Sequence, residues 1–232
     1  MTPRRSAGPS TLWDKLIHSF SRYFRRRRGA LFRRVLPEFT SLKVLDVGGS
    51  RHFWEKQDPA NVPTDLTLIN VKDDGQAVSY SGSMQHIKTM LYQGDTLPFG
   101  SGDFDVAICN SVIEHVPPVD RARLVSEIRR VSKFYFIQTP AFVFPIEPHF
   151  LVLGLHWLPR SVGLMAAKVS PWRFLSKPPP DHVTNYFNEI TILKRSELVG
   201  YAPDAAIFTE RLAGLPKSYT LFGRSDGRVD PA

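Results

Sequence analysis

The spacing of apolar residues along this chain changes period in a way that divides it into parts. Leu12, Trp13, Leu16, Ile17, Phe20, Tyr23 and Phe24 recur every three or four positions, which places them on one helical face, and Thr11 with Asp14 provides a start signal. The stripe crosses the run Arg25 to Arg28 and Gly29, resumes at Leu31, Phe32, Val35 and Leu36, and stops at Pro37. From Leu42 the pattern becomes short apolar runs between turns, alternating with helical stretches, as in a parallel sheet covered on both faces. Strands are predicted at Leu42–Val47, Leu66–Val71, Ile87–Gln93, Phe104–Asn110 and Phe134–Gln138. The clearest crossover helix is Arg121–Val131, with Leu124, Val125, Ile128 and Val131 on one face. Only a modest helix fits the polar, glycine-containing stretch 72–82.

Alternation stops between Thr139 and Tyr186, where a proline- and aromatic-rich insertion holds Trp157, Trp172 and the run Pro178-Pro179-Pro180. It returns with a helix near Lys194–Val199 and strands near Ala205–Leu212 and Ser218–Phe222. The expected fold is α/β: a doubly wound, mostly parallel, seven-stranded sheet with an N-terminal amphipathic helix and an insertion after the fifth strand. Residues 1–40 form a basic tail and helix, the first ten of them a flexible lead-in. Residues 41–225 form the main domain, with its insertion at about 140–186, and residues 226–232 a polar tail.

Composition narrows the class. At 232 residues, 42% apolar and 22% charged, the chain has enough apolar content for one sizeable core. The single Cys109 excludes an internal disulfide, so a reducing cytoplasm is the expected location. Residues 1–40 carry ten basic side chains against two acidic ones, a net +8 equal to that of the whole chain, so the remainder is formally neutral. Any attraction to a polyanion or an anionic membrane therefore belongs to the N-terminus. The arginines at the start precede Ser-Ala-Gly-Pro rather than an apolar run, which argues against a secretory signal. The apolar stretch 141–165 is broken by three prolines, two histidines, Glu147 and Arg160, against a membrane span of about 20 residues.

The strongest chemical signal is Val44-Leu45-Asp46-Val47-Gly48-Gly49-Ser50: an apolar strand, an acid, then small residues that let backbone approach a ligand closely. A dinucleotide fingerprint needs Gly-x-Gly-x-x-Gly, and Gly48-Gly49-Ser50-Arg51-His52-Phe53 lacks its second and third glycines. A second segment, Gly94-Asp95-Thr96-Leu97-Pro98-Phe99, leads into Phe104 to His115, where an acid and an apolar residue can take an adenine amine and ring. In this order and spacing, over about Leu42 to Thr139, these segments resemble the class I S-adenosylmethionine-dependent methyltransferases, specifically the type 11 branch. The resemblance implies S-adenosyl-L-methionine as cofactor. Asp46, Gly48 and Gly49 would face its methionine part, Asn70 its ribose, Asp95 and Leu97 its adenine, and Asn110 would lie under the methionine. Ser50 stands where the family usually has another glycine, and Asn70 where it has an acid. More loosely, the segments 144–149 and 203–218 look like bacterial members found with surface-polysaccharide genes, which suggests a glycan or lipid-linked acceptor.

On that resemblance the reaction is attack of an acceptor atom on a sulfonium methyl, with the protein supplying proximity and a dry pocket. If a base is needed, His115 after the fourth strand and His149 in the insertion are the candidates, each also readable as a loop residue; Asp181-His182 with Tyr186 has the same status. No His or Cys spacing indicates a metal site. Nucleic-acid acceptors are disfavoured, because Asn110-Ser111-Val112-Ile113 replaces the Asn/Asp-Pro-Pro-aromatic segment used on exocyclic amines, and Cys109 belongs to a buried strand. The N-terminal helix reads equally as an anchor on an anionic membrane surface, through residues 11–36, or as a helix packed on the sheet. The aromatic insertion reads as a lid or a second interfacial surface. A small-molecule, glycan or lipid-linked acceptor is expected, in the cytoplasm or at the inner face of the membrane. The rival reading is a non-catalytic binding or scaffold protein that keeps the fold.

Overall fold

A central sheet of seven strands organises the computed structural model, which describes residue 24 and residues 27–55, 57–71 and 87–227. The lead-in, most of the first helical stripe, the stretch between the second and third strands and the end of the tail lie outside the described residues. In chain order the strands of this sheet are β1 (Lys43–Val47), β2 (Asp65–Asn70), β3 (Lys88–Leu91), β4 (Phe104–Asn110), β5 (Ser132–Pro140), β8 (Ala206–Leu212) and β9 (Leu215–Arg224). A separate two-stranded ribbon in the insertion supplies β6 (Ile146–Glu147) and β7 (Val152–Leu153). The spatial order is β3-β2-β1-β4-β5-β9-β8, parallel from β3 through β5 and antiparallel at β9 and β8.

The central strands are apolar almost throughout because helices cover both sides of them. Successive side chains alternate between two cores. Leu45, Ala107, Cys109 and Ile137 pack with Val125, Ile128 and Val131 of α3 (Pro118–Val131) and Leu198 of α7 (Arg195–Tyr201). Val44, Leu66, Leu68, Val106, Ile108 and Phe136 pack on the other side with Phe32 and with Trp54 of α2 (Arg51–Glu55). Edge strand β3, with Lys88, Met90 and Leu91 exposed, lacks this double cover.

Residues 27–35 are helical (α1), and Leu31 and Phe32 are buried; the Phe32 ring lies 5.1 Å from that of Phe39 and 4.8 Å from that of Phe136. This half of the N-terminal stripe is a packed helix of the domain. Boundaries moved where capping and pairing outweigh local pattern. Helix α3 starts at Pro118, since proline is suited to a first helical turn, and β5 and β9 lengthen because each pairs with the other over seven residues.

The insertion is more regular than its sequence indicates. It folds as α4 (Arg160–Lys168), α5 (Pro171–Ser176) and α6 (Pro180–Glu189) around Phe150, Leu155, Ala167 and Val183. The Ser170 hydroxyl caps α5 by accepting from the Arg173 amide, and the third residue of the triple proline opens α6. Among the described residues no helix is long and apolar enough to cross a membrane.

Candidate active site at the switch point of the sheet

The chain runs outward from β1 through β2 to β3 and then returns to β4 beside β1, so the crevice for ligands lies at the carboxyl ends of β1 and β4. There Gly48 has φ +75°, donates to the Ile69 carbonyl at 2.8 Å, and has no room for a side chain because a Cβ would overlap Val112. A Cβ on Gly49 would overlap the Asp46 carboxylate. Ser50 accepts from the Phe53 amide at 3.3 Å, which explains a hydroxyl here in place of glycine: it starts α2. The Asn70 amide donates to the Gly49 carbonyl at 3.0 Å, so the side chain ending β2 ties down the loop after β1.

Asp46 pairs with Ile108, and Asn110 follows two residues later on β4, so both side chains project toward the α2 face of the sheet. Asp46 is buried and accepts from the Trp54 indole through Oδ2 at 2.8 Å, while its Oδ1 is buried without a hydrogen-bond partner. Burial pushes its pKa up to about 7, and the indole hydrogen bond opposes that rise. Asn110 Oδ1 is likewise buried and unpartnered. Two such acceptors beside a glycine turn fit the ammonium of a methionine moiety, because a buried acceptor is costly until a donor reaches it. Ser111 follows in the left-handed region at φ 56°, held by its hydroxyl on Gln138 Oε1 at 2.9 Å.

The loop after β3 reaches this edge too. A Cβ on Gly94 would lie 3.1 Å from Val71, just past β2, and Asp95 is exposed. Leu97 instead turns inward and is buried in the α3-side core, its amide donating to Glu127 Oε2 at 2.9 Å. The structure thus brings Asp46, Gly48, Gly49, Asn70 and Asn110 to one edge, with Asp95 exposed in the loop after β3 and Leu97 in the core on the α3 side.

A second group lies beyond β4. His115 ends the turn Ile113–His115, and His149 follows β6 in the insertion; their ring centroids are 5.0 Å apart and perpendicular. Two carboxylates accompany them. Glu147 Oε1 meets His149 Nδ1 at 2.5 Å, and its Oε2 accepts from the Phe150 amide at 2.7 Å. Glu114 is fully buried, accepts from the Thr139 hydroxyl at 3.1 Å through Oε2, and leaves Oε1 unpartnered, 3.9 Å from His149 Nε2. Burial raises the Glu114 pKa against the lowering effects of His149 and the Thr139 hydroxyl. Burial and the neighbouring His149 hold the His115 imidazole down to about 4. For His149 burial acts downward, yet the bond to Glu147 and the charges of Glu147 and Glu114 together raise it. The Tyr186 ring lies within 6 Å of both imidazoles, at 5.8 and 5.9 Å, and also stacks on His182; Asp181 is exposed at the start of α6. Ligand atoms of Glu114, His115 and His149 all lie within 4.8 Å of one another.

Fully buried Arg121 supports this group by donating to the Val116 carbonyl at 2.9 Å, the Thr191 carbonyl at 2.8 Å and Glu197 at 2.8 Å. The Thr191 amide in turn donates to the Glu114 carbonyl. Next to it a cavity of about 180 Å³ is lined by Phe142, Phe150, Leu155 and Phe187, with Glu147 and Arg160 as charged groups. Trp54, Glu114, Glu147 and Arg121 were not among the residues read from sequence. The one local signal for the carboxylates was an acid beside an imidazole, in Glu114-His115 and again in Glu147-Pro148-His149.

Residues 61–134 match the family model described as a methyltransferase domain, type 11. A magnesium protoporphyrin IX methyltransferase from Synechocystis, solved with SAH bound, superposes with a TM-score of 0.51 at 13% identity, over 94% of this chain and 89% of its own. A methyltransferase dependent on S-adenosylmethionine from Mesorhizobium loti superposes with a TM-score of 0.52 at 13% identity, over 84% of this chain and 96% of its own. At such identities the likeness is one of fold. No protein of curated function matches the sequence. The sheet order is that of the Rossmann-like methyltransferase fold, and residues 61–134 are similar to the family model of a methyltransferase domain.

Proposed function

We propose that this protein transfers a methyl group from S-adenosyl-L-methionine to an acceptor admitted from the side of the insertion. The observation that carries the reading is the pair of buried, unpartnered oxygens, Asp46 Oδ1 and Asn110 Oδ1, at the switch point of the sheet. When bound, the cofactor supplies an electrophilic methyl on sulfur; the chain's own work is positioning and exclusion of water. Asp46 and Asn110 take the methionine ammonium, and Gly48 and Gly49 admit its backbone-close approach. Ser50 shapes the same loop by capping α2. Asn70, whose amide is committed to Gly49, offers its carbonyl oxygen to the ribose. Asp95 takes the adenine amine at the rim, and Leu97 supports that loop from the core. His115 and His149 border the acceptor beyond Asn110.

The insertion favours a lipid-linked acceptor at a membrane surface. Val162, Met165 and Val169 recur at three- and four-residue spacing along α4 and its end and are all exposed, and Phe174 on α5 is exposed as well. The 180 Å³ cavity exceeds the ~150 Å³ that accepts a benzene, so it has room for a ring-sized apolar group of the acceptor. The net +8 of residues 1–40 would add attraction to anionic lipid.

Calorimetry of the full chain with S-adenosylmethionine and S-adenosylhomocysteine tests the core of this reading. Both are expected to bind at one site, and Gly49→Ala is expected to weaken both at least tenfold, since the added methyl meets Asp46. A folded protein that binds neither would be a non-catalytic relative that keeps the fold.

A further inference from the structure

We propose that Glu114, His115 and His149 form a binding site for one divalent transition-metal ion of the zinc type, with Glu147 as the group that orients His149. The three residues come from two separate segments, the turn after β4 and the loop after β6, and their ligand atoms lie within 4.8 Å of one another. Two imidazoles and one carboxylate are a donor set suited to zinc and its neighbours rather than to magnesium or calcium, which prefer oxygen alone.

Three further observations point to a cation. Glu114 is fully buried, and its Oε1 has no hydrogen-bond partner although it faces His149 Nε2. A carboxylate oxygen in that position is unfavourable until a positive charge reaches it. Next, Glu147 engages His149 at Nδ1, so Nε2, 3.9 Å from Glu114 Oε1, is the ring nitrogen left for a metal. That carboxylate–imidazole pair is the support that metal-bound histidines ordinarily have. Last, the separation of Glu114 Oε1 and His149 Nε2 is 3.9 Å, too long for a hydrogen bond. Two ligands each ~2.0–2.1 Å from a shared zinc lie roughly 3.3 to 3.4 Å apart at the tetrahedral angle, so the pair would draw in by about 0.5 Å on binding.

The surroundings keep the ligands in place. Thr139 holds the second oxygen of Glu114, the Phe150 amide holds Glu147, Tyr186 lies against both imidazoles, and Arg121 with Thr191 fastens the turn that carries Glu114 and His115. The metal site stands independently of methyl transfer; only a part for it in handling the acceptor rests on the reading above.

The test uses the untagged full chain after treatment with a chelator, titrated with Co²⁺ by visible absorption and with Zn²⁺ by calorimetry. One equivalent of Co²⁺ is expected to give ligand-field bands of a nitrogen- and oxygen-ligated ion, displaced by one equivalent of Zn²⁺. Glu114→Gln and His149→Asn are each expected to weaken binding at least a hundredfold, and Glu147→Gln ten- to a hundredfold with the stoichiometry kept. No saturable binding, or binding unchanged in these variants, would overturn the site. Circular dichroism and S-adenosylhomocysteine calorimetry on the same samples separate the causes. In the wild-type chain, absent metal binding with S-adenosylhomocysteine bound refutes the metal site alone, and metal bound without S-adenosylhomocysteine refutes the methyltransferase reading alone. If Glu114→Gln fails to fold, His149→Asn and Glu147→Gln carry the decision.

Discussion

Asp46 combines burial, one indole partner and one unpartnered oxygen, and on the proposed function this combination would link cofactor binding to pH. Its raised pKa means that between the ordinary carboxylate range and about pH 7 the folded chain keeps a proton that the unfolded chain has released. Its contribution to stability therefore falls as pH rises through that window and is constant above it; Asp46→Asn is expected to remove this component from urea-unfolding stability measured against pH. Binding of the cofactor ammonium should favour the ionised form. Affinity is then expected to rise with pH up to about 7 and level off, with a proton released on binding. Calorimetry near neutrality in buffers of different ionisation enthalpy reads that proton. A binding enthalpy independent of the buffer in the wild-type chain would remove Asp46 from the ammonium site.

Elements carry the next level of explanation, and Arg121 shows how. It leaves α3 to bind the turn after β4, the segment after α6 and Glu197 on α7, so one fully buried guanidinium joins the insertion to the sheet. Arg121→Met removes all of these donors and leaves two carbonyls without partners. It is expected to cost about 3 kcal/mol, read from denaturant midpoints, at the lower end for a broken buried pair because Glu197 is partly exposed. Glu197→Gln should cost no more than about 1 kcal/mol. The sheet strands and α3 were legible because each is a short apolar run with a turn at both ends, and the glycine turn after β1 because Gly48 and Gly49 adjoin such a run. The role of Ser50 as a cap and of Asn70 as a tie on Gly49 was not legible, since both depend on where α2 and β2 end in space. The cluster of Glu114, His115 and His149 was hidden for a related reason: over thirty positions separate His149 from the other two, and only the docking of the insertion closes that gap. Local periodicity carries no record of such a contact.

For the whole molecule, the exposed apolar side chains and the basic charge lie at different places along the sequence, so the parts proposed for them in membrane association are separable. Vesicle flotation with anionic and neutral lipid is expected to recover the full chain on anionic vesicles. Met165→Asp with Val169→Asp should reduce recovery on both kinds of vesicle, because the loss is of apolar area. A chain lacking residues 1–23 should lose mainly the anionic preference, since that segment holds three arginines and a lysine but only one acid. The deletion has to stop before Phe24, which is buried, as are Leu31 and Phe32 in α1. Equal flotation of all three proteins would rule out both surfaces as anchors.

Cys109 lies at zero exposure in the middle of the sheet, next to the strand that carries Asp46, and it is the only thiol of the chain. A thiol reagent can reach it only when β1, β4 and β5 part from their covering helices, so its modification rate is a clock for rare openings of the interior. If S-adenosylhomocysteine binds across the ends of β1 and β4, saturating it should slow that clock by the same factor by which it raises stability. Rates that stay equal with and without the ligand would mean that the ligand binds away from those strands or not at all.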